Sequence, residues 1–74
     1  MVFLNKRFIF NKLKENNITD EELKGYALTL NTINYRISRN KINRIFMIKL
    51  SLILKCPIKK LFINPNGNIF DDNN

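Results

Sequence analysis

The chain has 74 residues, 45% of them hydrophobic, with 13 Lys or Arg, 6 Asp or Glu, no histidine and one cysteine. That length supports one small domain, residues 1–74, whose core is marginal without a disulfide, a metal or self-association. One thiol excludes an internal disulfide, and the lack of histidine removes metal-ligand spacing and Ser/His/Asp or Cys/His catalysis. The net charge of +7 calls for an anionic partner.

In chain order, KRFIFNKLKEN at 6–16 predicts a helix with Phe10 and Leu13 on one face and Ile9 close by. Asn17 ends it. Thr19 then opens a second helix as the N-cap of a capping box, with Glu22 three residues on. Asp20, Glu21 and Glu22 suit the positive end of that helix. This helix is expected to run to about Ala27. Gly25 inside it costs about 1 kcal/mol relative to Ala, which predicts a close packing contact that only a small residue admits. Thr29 is the next N-cap, and a third helix is expected over 30–38. Ile33 and Ile37, one turn apart, face inward, while Asn31, Asn34, Tyr35 and Arg36 spread over the other faces.

RNKIN at 39–43 reads as a polar loop. A fourth helix of about 43–55 follows and stops before Pro57, because the residue preceding proline avoids the α region. A strand over 45–54 is the rival reading, since K-L-S-L alternates. Leu, Met, Lys and the length of the run favour helix. Pro57 suits the first turn of a fifth short helix, IKKLF. The tail, 63–74, is rich in turn residues, and Asn66-Gly67 between Ile63 and Ile69-Phe70 suits a small hairpin. The expected fold is all-α: five short helices around a core drawn from 6–62, with room for a small β element formed by the two termini.

MVFLNKRFIF is too broken by charge to be a signal peptide. The longest apolar run, IFMIKLSLIL, is shorter than the ~20 residues that span a bilayer. A cytoplasmic protein with a reduced Cys56 and no membrane partner is therefore expected.

Four pieces, in order and at matching spacing over about 9–62, resemble the lambda-repressor-like, Cro/repressor-type helix-turn-helix DNA-binding family. LKENNIT at 13–19 is similar to the family's entry into helix two, and EEL at 21–23 to the start of that helix. LTLNTINYRIS at 28–38 resembles the turn and recognition helix. IKLSLILKCPIKKLF at 48–62 is similar to the last two helices. The chain departs from the family at Lys24, where a small residue is usual. It lacks the turn glycine, for which Ala27-Leu28-Thr29 stands in. Asp20 replaces an amide that commonly touches a phosphate, and a carboxylate there repels DNA.

The resemblance implies a transcriptional repressor of phage or mobile-element type that binds double-stranded DNA as a homodimer on a palindromic operator. By the same likeness, Leu30, Asn31, Thr32, Asn34 and Tyr35 read base edges. An asparagine can pair bidentately with adenine, and a leucine or threonine methyl can touch a thymine methyl. Arg36, Arg39, Lys41 and Arg44 follow, where the phosphate backbone would run. No carboxylate lies between Leu23 and Phe70, whereas nine Lys or Arg do.

In the family register Met47, Leu50 and Leu54 face inward. Ile45, Ile48, Leu52 and Ile53 are left as a dimer interface, with help from Val2-Phe3-Leu4 and Ile69-Phe70, because a patch of that size is unusual on a soluble monomer; the alternative is that the apolar N- and C-terminal tips of the same chain cover it. No enzyme activity, catalytic residue, metal, cofactor or small-molecule substrate is expected. The alternative is a small protein-binding inhibitor that uses the basic face of the same domain; Asp20 and the missing glycine favour it. A membrane-surface role for the fourth helix is disfavoured by the ordered helix caps and breaks.

Overall fold

A computed structural model of the chain describes residues 3–63. The Asn66-Gly67 hairpin and the contributions of Val2 and Ile69-Phe70 to a dimer fall outside them. The fold is mostly helical with one small sheet. Its α-helices are α1 (Lys6–Glu15), α2 (Asp20–Leu23), α3 (Leu30–Ser38) and α4 (Arg44–Leu54). The strands are β1 (Phe3–Leu4) and β2 (Phe62–Ile63), antiparallel, with Phe3 opposite Ile63 and Leu4 opposite Phe62.

Each α-helix begins where a side-chain oxygen takes an otherwise unpaired backbone N–H. Asn5 accepts from Phe8, Thr29 from Thr32 and Asn43 from Phe46, at 3.4, 3.1 and 2.8 Å. The expected capping box is present at α2: Glu22 N–H donates to Thr19 Oγ1 and Thr19 N–H to Glu22 Oε1. A left-handed residue follows α1, the 3-10 extension of α2, α3 and α4: Asn17, Ala27, Asn40 and Lys55, all with φ between 52° and 58°. None of the four is glycine. Asn tolerates this geometry, whereas Ala and Lys hold it at a cost of about 1–2 kcal/mol each.

The core takes Ile9 and Leu13 from α1, Leu23 from α2, and Ile33 and Ile37 from α3. From α4 come Phe46, Met47, Leu50, Ile53 and Leu54, while Leu4, Leu61 and Phe62 close it beside the sheet. No polar or charged residue is buried among the described residues, so the core needs no internal hydrogen-bond partners. α1 packs on both α3 and α4, and the Asn5 N–H donates to the Leu61 carbonyl at 2.9 Å.

The expected fourth helix is present as α4, and the rival strand over 45–54 is excluded. Several other expectations are corrected. The second helix is α-helical only to Leu23 and continues as a 3-10 turn, Lys24–Tyr26. The fifth helix is likewise a 3-10 turn, Ile58–Leu61, and Phe62 already belongs to β2. Gly25 is not packed: a Cβ placed there meets no atom within 4 Å. Ile53 does not reach the surface. It is 6% exposed, inside the core of its own chain, and therefore unavailable to a dimer interface.

Candidate nucleic-acid interface

α3 buries Ile33 and Ile37 and turns its opposite side to solvent. At about 100° per residue, the side opposite those isoleucines carries Asn31, Thr32, Tyr35 and Arg39, all exposed. Tyr35 is 51% exposed, with the Arg39 guanidinium 5.2 Å from its ring centre. Asn34 is exposed on one flank. Leu30 is not on the outward strip. It is half-buried, packs against the core, and shares with Phe10, Leu13, Lys14, Asn17, Ile18 and Asn34 a hollow of about 510 Å³ between α1 and α3. Leu30 therefore presents less of its side chain to solvent than Asn31 and Thr32 do.

Both ends of α3 are held by charges that match its dipole. At the N-terminus the Leu30 N–H donates to Asp20 Oδ1 at 2.7 Å. At the C-terminus Lys6 Nζ donates to the Ser38 carbonyl at 3.2 Å. The turn leading into α3 is tied down as well, by Lys49 Nζ on the Tyr26 carbonyl at 3.0 Å. Asp20, which the sequence marked as a first-turn acid of the second helix and as a charge repelling DNA, thus also joins the start of α2 to the start of α3. Lys6 and Lys49 were not foreseen. Their partners are backbone carbonyls 32 and 23 positions away, which no local pattern announces.

The four cations assigned to phosphates do not behave alike. Arg39, Lys41 and Arg44 are exposed around the α3–α4 loop. Arg36 is half-buried, with its guanidinium 4.5 Å from the Phe46 ring centre and its Nε buried without a hydrogen-bond partner. Stacking on an aromatic face suits a weakly hydrated guanidinium. It turns Arg36 toward the core edge, leaving its terminal nitrogens a smaller part in any backbone contact.

A separate feature lies on α4, where Ile45, Ile48 and Leu52 are 66%, 42% and 59% exposed. Cys56 is half-buried, and burial pushes its thiol pKa above the ordinary value although Lys12 and Lys60 pull it down. A thiol held protonated is a poor nucleophile. Among the described residues no group of three or more His, Cys, Asp or Glu is placed to hold a metal ion. No helix there is long and apolar enough to cross a membrane. Compared with protein-family models, with curated proteins and with solved structures, the chain matches none.

Proposed function

We propose that the protein is a sequence-specific, double-stranded DNA-binding regulator of the repressor type, without enzymatic activity, that acts as a dimer on a palindromic operator. In this reading α2 and α3 form a helix-turn-helix, and the 3-10 turn Ile58–Leu61 stands where the family has its fifth helix. α3 lies in the major groove, where Asn31 and Thr32 near its N-terminus meet base edges and Tyr35 and Asn34 lie further along. Arg39, Lys41 and Arg44 sit on the flanking phosphates. Binding of this kind represses by occluding polymerase.

The observation that carries the reading is the outward strip of α3. It combines an amide, two hydroxyls and the cation Arg39 at the end of a capped helix, and the chain has no carboxylate from Lys24 to Phe70. A solvated surface helix has no need of such segregation, whereas a polyanion does. The two departures that favoured a protein-binding role have local explanations. Asp20 is engaged with the Leu30 N–H, and Ala27 takes the left-handed conformation that the missing glycine would otherwise supply.

Selection of bound sites from a random duplex library tests the proposal. The expected product is a palindrome with half-sites centred about 34 Å apart. Asn31→Ala should relax one base position by about 1–3 kcal/mol. Three phosphates per subunit give a log–log salt slope of about −5 for the dimer. Failure to enrich any sequence, together with no shifted band at low salt, would transfer the basic face to an acidic protein partner.

A further inference from the structure

We infer that two copies of the chain pair through α4, antiparallel, about a two-fold axis passing between residues 48 and 49. This rests on the dimeric part of the function proposed above and supplies its geometry. Ile45, Ile48 and Leu52 form an exposed apolar ridge within an arc of about 60° at 100° per residue. Their spacing is symmetric under reversal. At 1.5 Å per residue, Ile45 and Leu52 stand about 5 Å on either side of the ridge centre, and Ile48 within about 1 Å of it. A two-fold axis through that centre sets Ile45 against the partner's Leu52, twice, and brings the two copies of Ile48 together, as an isologous contact requires.

Charge selects the same orientation. The hollow beside Ile45 is lined by Arg36 and Lys49 and by no carboxylate. The hollow beside Leu52 contains Glu22 together with Lys55. Parallel pairing would place the cationic hollow against itself. Antiparallel pairing places it against a hollow in which Glu22 balances Lys55, and against the negative pole of the partner's α4. The cation nearest the axis, Lys49, is drawn aside by its bond to the Tyr26 carbonyl, so the ridge centre stays apolar. A helix of 11 residues is only about 16 Å long, and a pair of such helices buries less than the ~1,200 Å² of a stable interface. The free dimer is therefore weak and is reinforced when both copies hold one duplex.

Disulfide trapping without DNA tests this in a Cys56→Ser background, with folding of each variant checked by circular dichroism. Ile48→Cys should link to itself, and Ile45→Cys should link to Leu52→Cys in a mixture. Both should proceed about ten-fold or more faster than Lys14→Cys, which reports random collision on α1. Ile45→Cys alone and Leu52→Cys alone should stay at the collision rate. Self-linking of those two single variants would overturn the orientation in favour of parallel pairing. Folded variants that all link at the collision rate would overturn the pairing itself. Gel shift of the wild-type chain is independent of this outcome: DNA binding without trapping removes the α4 geometry alone, and trapping without DNA binding removes the DNA reading alone.

Discussion

Moving the glycine of the α2–α3 turn by two positions should stabilise the protein. Gly25 lies within the 3-10 turn Lys24–Tyr26, its φ is not positive, and a Cβ added there meets open space. Gly25→Ala at such a site gains about 0.4–1 kcal/mol, mainly by restricting the unfolded chain. Ala27, at φ 58° and ψ 41°, is left-handed. Ala27→Gly relieves about 1–2 kcal/mol of steric cost and returns roughly 0.5–1 kcal/mol as glycine entropy. The net gain at 27 is about 0.5 kcal/mol, and the double variant should gain about 1–1.5 kcal/mol. For a domain of this size, each kcal/mol moves Tm by roughly 4–8 °C. Thermal unfolding followed by circular dichroism reads the shift, and both single variants are needed because neighbouring sites couple. Loss of stability in Gly25→Ala would mean that residue 25 is packed after all. Loss in Ala27→Gly would mean that the turn does not bend at residue 27.

Five further substitutions have defined outcomes. Asp20→Ala removes the acceptor of the Leu30 N–H and should cost about 1 kcal/mol of stability. Asp20→Asn keeps an acceptor and loses the charge. Under the proposed DNA-binding function it should bind duplex about two- to three-fold more tightly, since a unit charge about 7 Å from a phosphate is worth roughly 0.6 kcal/mol in water; titrations at two salt concentrations check this. Ile33→Ala, at a fully buried position of α3, should cost about 2–5 kcal/mol and abolish a cooperative melt in a marginally stable domain. Arg39→Ala should leave stability within about 0.5 kcal/mol and reduce the salt slope by about 1 per subunit. Arg36→Ala should instead lower stability by roughly 0.5–2 kcal/mol through loss of its stacking on Phe46. A reversed pattern for the two arginines would refute their assigned positions.

What was legible from the sequence was local. Thr19 and Thr29 announce helix starts because a cap needs only a hydroxyl placed three residues before the N–H it takes. Asn43 works the same way, but as part of RNKIN it reads as loop. α4 was harder, because RIFMIKLSLIL is apolar on nearly every side and its periodicity does not choose a face. Ile53 therefore read as surface, although in the fold it is a member of the core cluster. The roles of Asp20 and Arg36 were illegible for a related reason. Each depends on a partner ten positions away, Leu30 and Phe46 respectively, brought close only by tertiary packing. Gly25 misled because a glycine in a helix usually answers to a neighbour, whereas here the local backbone accommodates it without one.

The sheet has a consequence for engineering. Since Phe3 and Ile63 stand opposite each other, a span running from one to the other leaves and returns at nearly the same point in space. Such a span can be spliced into a surface loop of a host protein through short connectors without prying the host apart. It can also be circularly permuted, with its old ends joined and new ones opened in the exposed stretch 39–41, to ask whether continuity between α3 and α4 matters for folding.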